Sequence, residues 1–540
     1  TPLRPFFRLL LPCDMMFGDL KNFGDIVRRH AEYSGSRMGI VFEDVRLTWR
    51  EVNARVNRIA SALQRRGVGH GDRVAILSRN CHQYVELLYG LAKIGAVSVP
   101  INYRLTEREV AYICNDAGAI MLVAGPDYFS LAEQVAGRSP TIKEVIGLGK
   151  DVPRHLLDYE ALIREGEESE PAPDRPIEPE DLLLFLYTSG TTGFPKGVMY
   201  THRRTLIGMF VHVHAIGSHS SHRVMLPAPL YSAAGIAGIF CAVYVGSFIV
   251  IINFEPQRAL ETIERERITF TNLVPTTIQM LVTRDDIDHY DLSSLRVLLY
   301  GGAPMPEPVL RRAAAVFRCD FRQTYATSET GCSGTVLEPH EHRLALADER
   351  WTKLLMSCGR PQCNVAVRVV NDAGERVSPG EVGEICVYAD GNMVGYWNNP
   401  QATAEALRDG WVYTGDLATI DEEGYIYLVD RKHDMIVTGA LNVYPSEVER
   451  VLYEHPAVFE CAVIGVPHPV WGEAVKAVVV LKPGATASEE ELIAFCKERL
   501  AGYKTPKSVD FAPRLPRNPT GKVLRRVLRE PYWKDYRRSI

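Results

Sequence analysis

Along residues 47–67 apolar and polar positions alternate with the period of a helix. Val52, Val56, Ile59 and Leu63 recur three or four residues apart, Thr48 and Glu51 have the spacing of a capping box, and Gly67 stops the run. "RVAIL" (73–77) then reads as a short buried strand, "QYVELLYGLAKIGA" (83–96) as a helix and "VSVP" (97–100) as a strand. Thr106 and Glu109 open another capped helix, and "AIMLVAG" (119–125) is the next strand. The alternation returns over 224–300 with "VMLPAPL", "SFIVII", "ALETIERERI" and "RVLLY". Strands and helices in turn, joined by short links, predict parallel sheets covered on both faces.

Near residue 365 the period changes. "VAVRVVNDAGERV", "GEICVYAD" and "GYIYLVDRK" are short runs broken by turn residues, the pattern of antiparallel strands and a small β-barrel-like region. Beyond residue 434 come "SEVERVLYEHP", "ECAVIGV", "AVKAVVVLKPG" and "SEEELIAFCKERL", with Ser446/Glu449 and Ser488/Glu491 at capping-box spacing. The predicted fold class is α/β. A large N-terminal domain (1–430) of parallel-type sheets covered by helices leads through a hinge at 431–434 to a small, mobile α+β C-terminal domain (435–540). The acidic, Pro-rich stretch 165–180 reads as a solvated linker.

At 540 residues the chain is too long for one core, and its 46% apolar and 24% charged residues are ordinary for a globular protein. A formal charge of −5 favours neither nucleic acid nor an anionic membrane globally, and the basic run 522–538 reads as a solvated terminal helix. The 11 cysteines include no CxxC pair, which argues against structural zinc and for a reducing, cytoplasmic setting. The start, "TPLRPFFRLLLP", is too short an apolar run for a membrane span, though it leaves room for a peripheral membrane contact.

The chemistry concentrates in "YTSGTTGFPKG" (187–197), directly after the apolar run "LLLFL". Gly190, Gly193 and Gly197 permit a tight backbone with exposed N–H groups. Thr188, Ser189, Thr191 and Thr192 add hydroxyls and Lys196 a positive charge, a set suited to polyphosphate. The spacing is not that of a Walker A loop, which disfavours a P-loop phosphotransferase. Downstream, in order, come "YGGAP" (300–304), "QTYATSET" (323–330), "YTGDL" (413–417), "DRKHDMIVTGALNVYP" (430–445) and "PRNPTGKVLRR" (516–526).

With these motifs in this order, residues 25–525 resemble the adenylate-forming superfamily: acyl-CoA synthetases, firefly-type luciferases and peptide-synthetase adenylation domains. The resemblance implies an AMP-forming acid:CoA ligase. A carboxylate attacks the α-phosphate of ATP, and the acyl-adenylate is then taken by the thiol of coenzyme A. The implied ATP site comprises Thr188, Ser189, Gly190, Thr191, Thr192 and Lys196 on the phosphates. Gly302, Ala303 and Pro304 line the adenine slot, with Tyr325 stacked on the base. Ser328 supplies a phosphate-side hydroxyl, and Asp416, supported by Arg431, takes the ribose. Glu329 would ligate Mg²⁺, Lys522 would stabilise charge developing during adenylation, and Thr188, Glu329 and Lys522 form the implied catalytic set.

The same resemblance makes His433 the hinge pivot, at a position where the family usually has Lys or Asp. It places Tyr231, Ser232, Gly235, Gly301 and Ala326 along the acyl pocket and Gly439 and Ala440 on the coenzyme A side. The small residues Ser232, Ala233, Ala234 and Gly235 suggest room for a medium or long fatty acid or a bulky aryl or alicyclic acid. Transfer to a carrier protein and a catalytically silent adenylate-binding protein are the alternatives. The expected partners are the carboxylate, ATP and coenzyme A. The oligomeric state is left open, a homodimer being one option.

Overall fold

Arg73–Leu77 lies between Val97–Pro100 and Met121–Ala124, all three parallel, as the strand–helix alternation requires. The computed structural model describes residues 20, 22–188, 195–303, 305–432, 434–438, 441–517 and 523–534. Among these residues the strands form four sheets.

The first sheet continues outward from Val97–Pro100 through Leu182–Thr188, Lys196–Thr201 and Gly395–Tyr396. Its other edge runs through Glu144–Gly147 to Leu157–Asp158. The second has six mutually parallel strands in the order Asp320–Tyr325, Val297–Gly301, Phe270–Leu273, Arg223–Leu226, Phe248–Ile251 and Met38–Phe42. Antiparallel strands close its edges. Helices His82–Lys93 and Ala233–Tyr244 contribute to one core that also takes Ile76 and Val123 from the first sheet and Val224, Ile249 and Leu299 from the second. Asn80, after Arg73–Leu77, donates to the Ala228 and Ile252 carbonyls, which follow Arg223–Leu226 and Phe248–Ile251, so these strands' carboxyl ends lie together, the arrangement that makes the ligand crevice of open α/β sheets.

The predicted antiparallel region is a curled third sheet of Ala366–Val370, Gly383–Tyr388, Trp411–Ile420, Leu407–Arg408 and Ile426–Arg431. Leu441–Val443, Ile436–Thr438, Gly472–Leu481, Val458–His468 and Ser508–Phe511 form the fourth sheet. Its core includes Ile436, Val443, Val448, Val463, Val475, Leu492 and Cys496. No helix among the described residues is long and apolar enough to cross a membrane.

Three local expectations are corrected. The capping boxes at Thr48/Glu51, Thr106/Glu109 and Ser488/Glu491 are present, but Ser446 and Glu449 do not cap their helix. The helix Pro445–Tyr453 begins at Pro445. Ser446 instead donates its amide to Asp430 and its hydroxyl to the Val429 carbonyl, while Glu449 pairs with Arg525. The stretch 165–180 crosses the surface but is pinned, because Asn57, Lys93 and Gln64 donate to the Glu168 carbonyl, the Glu170 carboxylate and the Ala172 carbonyl. The basic run near the end is not simply solvated. In the helix Arg525–Trp533, Arg529 reaches Glu473 at 3.4 Å and the Trp533 indole donates to the Gly465 carbonyl at 3.0 Å.

Candidate active site

The hydroxyl-rich segment joins two antiparallel strands, and at its neck Thr188 stands opposite Lys196. Ser189, Gly190, Thr191 and Thr192 lie outside the described residues, so the neck is what the structure places. The short strand Gly395–Tyr396 pairs with the outer side of this hairpin, Tyr396 opposite Val198. That register sets the Tyr396 ring 5.3 Å from the Lys196 ammonium, within cation–π range. The Tyr396 hydroxyl donates to Glu329 Oε1 at 2.9 Å. Lys196 and Glu329, 133 residues apart in the chain, therefore meet on the two sides of one phenol.

The turn carrying Glu329 is held from several directions. The Tyr200 hydroxyl donates to the Ser328 carbonyl at 2.6 Å, the Met393 amide donates to the Glu329 carbonyl at 2.9 Å, and Thr327 and Thr330 bond one another. Burial first, and then the charge of Glu329, raise both Tyr200 and Tyr396 above the ordinary tyrosine range, so both phenols stay protonated donors. Glu329 Oε1 is occupied by Tyr396, and Oε2 takes no hydrogen bond among the described residues. No group of three or more His, Cys, Asp or Glu side chains among the described residues could hold a metal by itself. One free carboxylate oxygen beside hydroxyl donors fits Mg²⁺, which binds through one or two carboxylates and completes its shell with water and substrate phosphate.

On the second sheet, Gly301 and Thr324 are neighbours at the carboxyl ends of parallel strands. A Cβ on Gly301 would lie 2.4 Å from the Thr324 carbonyl, so the two backbones approach too closely for any other residue. Gly302 has φ +77°, a left-handed turn that favours glycine, and a Cβ there would touch only Val274, at 4.0 Å. Ala303 follows and is half-buried, whereas Pro304 lies outside the described residues. Tyr325 ends the adjacent strand, and its hydroxyl donates to Asp416 Oδ2 at 2.8 Å. Arg431, paired with Asp416 across the third sheet, brings Nε to 3.2 Å from Oδ1. Burial, then Asp416, raise the Tyr325 hydroxyl well above its usual range. The adenine and ribose candidates thus meet at Asp416, and the phosphate and metal candidates meet at Tyr396. The turn from Tyr325 to Glu329 joins the two groups.

The acyl-pocket candidates lie on separate segments of the chain. Ser232 caps the helix Ala233–Tyr244, accepting the Gly235 amide at 3.0 Å and donating to the Pro229 carbonyl at 2.7 Å. A Cβ on Gly235 would lie 2.0 Å from that carbonyl, so the small size of Gly235 already serves the turn. Tyr231 meets Tyr103 edge-on at 5.2 Å, and Ala326 is half-buried directly after Tyr325. His433, Gly439, Ala440 and Lys522 all lie outside the described residues. The chain is paired up to Arg517 and again from Val523.

Sequence reasoning passed over Tyr396, Tyr200 and Asn80. Asn80 ties the two sheets together at the crevice, donating to the Ala228 and Ile252 carbonyls and accepting the Leu230 amide. The one available signal for Tyr396 was an aromatic pair after Gly395 with no helical or strand period around it.

The AMP-binding enzyme family model matches residues 27–397, and the AMP-binding enzyme C-terminal domain model matches 447–522. The chain is 39% identical over 511 residues to a feruloyl-CoA synthase of Amycolatopsis sp, covering 93% of this chain and 98% of that one. It is 34% identical over 520 residues to the fatty acid–[acyl-carrier-protein] ligase ScoC of Streptomyces coeruleorubidus, covering 95% and 96%. The structure resembles the anthranilate CoA ligase AuaEII in complex with anthranoyl-AMP, with a TM-score of 0.85 at 28% identity over 95% of this chain and 97% of that chain.

Proposed function

Because this chain belongs to the AMP-binding enzyme family, we propose the following assignment of its chemistry to its residues. The protein is an AMP-forming acid:thiol ligase using ATP, Mg²⁺ and coenzyme A. In the first half-reaction a carboxylate oxygen bonds to the α-phosphorus, the bond from that phosphorus to the bridging oxygen breaks, and pyrophosphate leaves. In the second, the thiol sulfur bonds to the acyl carbon and AMP leaves. Carboxylates acylate poorly because their leaving group would be oxide; the adenylate supplies a better one.

The observation that carries the site assignment is the pair of junctions at Asp416 and Tyr396. Asp416, oriented by Arg431 and Tyr325, accepts the ribose hydroxyls beside the Gly301–Gly302 turn. Lys196 and the Thr188 segment bind the β- and γ-phosphates, with Ser328 beside them. Bound Mg²⁺ supplies Lewis-acid stabilisation of phosphate charge, and Glu329 is its protein ligand. Lys522 carries the charge developing around the α-phosphorus, which makes its contribution larger in the transition state than in the ground state. Residues 431–434 are the hinge about which the C-terminal part reorients, so that the Gly439–Ala440 side can face the thiol substrate. The acyl group is a hydrophobic acid, an aryl acid or a fatty acid, in keeping with the relatives. The setting is cytoplasmic.

Incubating the protein with ATP and a carboxylate panel, with and without coenzyme A, tests this reading. AMP, pyrophosphate and an acyl-CoA are expected; ADP as the product would overturn it. The ScoC relative supports a second acceptor, an acyl-carrier protein. Replacing coenzyme A with a phosphopantetheinylated carrier protein separates the two.

A further inference from the structure

Tyr396 touches both charged ends of the phosphate-binding group. Its hydroxyl holds Glu329 Oε1 at 2.9 Å and leaves Oε2 free of hydrogen bonds among the described residues, while its ring lies 5.3 Å from the Lys196 ammonium. The two charged side chains therefore contact different parts of one residue, the carboxylate its hydroxyl and the ammonium its ring. The tyrosine is itself held firmly. Its backbone pairs with Val198, its amide donates to Thr403 at 2.9 Å, and its residue is 9% exposed. The Met393 amide, three residues earlier, grips the Glu329 carbonyl. The strand end thus fixes both the backbone and the carboxylate of the same glutamate.

We propose that Tyr396 is a positioning residue of the adenylation site: its phenol holds the Glu329 carboxylate with one oxygen left for the divalent cation, and its ring seats the Lys196 ammonium. The proposal rests on the assignment of Glu329 to the cation and Lys196 to the phosphates. Partners that orient a metal ligand alter metal affinity by roughly 10–100-fold when removed. Tyr396→Phe keeps the ring and its packing and deletes only the hydroxyl; Tyr396→Leu also removes the seat for Lys196.

The test is ATP binding without carboxylate or thiol, read by calorimetry over a Mg²⁺ titration, with thermal unfolding as a check on the fold. Glu329→Gln and Lys196→Ala serve as references. For Tyr396→Phe the Mg²⁺ concentration giving half-maximal tightening of ATP binding is expected to rise about tenfold. Its ATP affinity without Mg²⁺ should stay within about twofold of wild type, since the cation–π contact survives. Tyr396→Leu should show the same rise and, in addition, bind ATP about three- to tenfold more weakly without Mg²⁺, as should Lys196→Ala. If Glu329→Gln shifts the Mg²⁺ dependence and Tyr396→Phe does not, the tyrosine merely packs and the proposal fails alone. If Glu329→Gln leaves the Mg²⁺ dependence at wild type, both the assignment and the proposal fall.

Discussion

Replacing Arg525 tests how the helix Arg525–Trp533 is anchored to the carboxylates of Glu449 and Asp434. Arg525 Nη2 lies 2.8 Å from both carboxylate oxygens of Glu449, and Nη1 lies 3.3 Å from Asp434. The Glu449 and Arg525 side chains are 13% and 21% exposed. Burial raises the Glu449 carboxyl above the ordinary glutamate range despite Arg525, and burial likewise raises Asp430. Around Arg525, burial opposes its charge, but Glu449, Asp430 and Asp434 outweigh it and hold the guanidinium charged. One cation therefore serves three carboxylates. Removing it leaves Glu449 buried with the Val463 amide, 2.7 Å away, as its carboxylate's remaining partner among the described residues. Stripping one partner from a buried pair costs about 3–5 kcal/mol, and residual exposure together with the Val463 bond puts Arg525→Ala near the lower end, about 3 kcal/mol. Hydrogen exchange at the Val463 amide should accelerate by a factor of about 150. Adding Glu449→Gln removes the uncompensated charge and should recover about 1–2 kcal/mol. Wild-type exchange in Arg525→Ala, or a double variant no better than the single, would refute the argument.

Asp416→Asn keeps the shape but removes the negative charge facing Arg431 and Tyr325, and should raise the KM for ATP about 10–100-fold in pyrophosphate exchange; an unchanged KM removes Asp416 from the ribose. Gly301→Ala puts a methyl 2.4 Å from the Thr324 carbonyl and forces two parallel strands apart, so kcat/KM should fall by at least about a hundredfold; near-normal turnover would show that the crevice tolerates the shift. Burial lowers His202, His212 and His342 to about 4 from 6.5. The folded state then binds fewer protons than the unfolded one across that interval, so stability present above pH 6.5 is lost as pH falls towards 4, by up to about 3 kcal/mol per histidine. Urea midpoints flat between pH 7 and 4.5, or a slope unaltered by His212→Gln, would count against this.

The three capping boxes that hold, at Thr48, Thr106 and Ser488, span three residues each and depend on nothing outside their own turn. Ser446 and Glu449 have the same spacing, yet Glu449 is taken by an arginine 76 residues away, a competitor that no local pattern could show. The site divides in the same way. Gly301, Gly302, Tyr325, Asp416 and Arg431 stand in short motifs that the sequence singles out, and the structure joins Tyr325 and Arg431 to Asp416. Tyr396 and Asn80 were not singled out, because their partners Glu329 and Leu230 lie 67 and 150 residues away. The sequence alone determined the parallel strand–helix alternation, the change of period near residue 365 and the hydroxyl-rich loop after a buried strand, since hydrophobic period and turn chemistry act over a few residues. Only the tertiary structure decided that Lys196 and Glu329 share one tyrosine and that one arginine serves Glu449, Asp434 and Asp430. Electrostatic and hydrogen-bond partners are chosen by distance in space, and sheet order, not position along the chain, sets that distance.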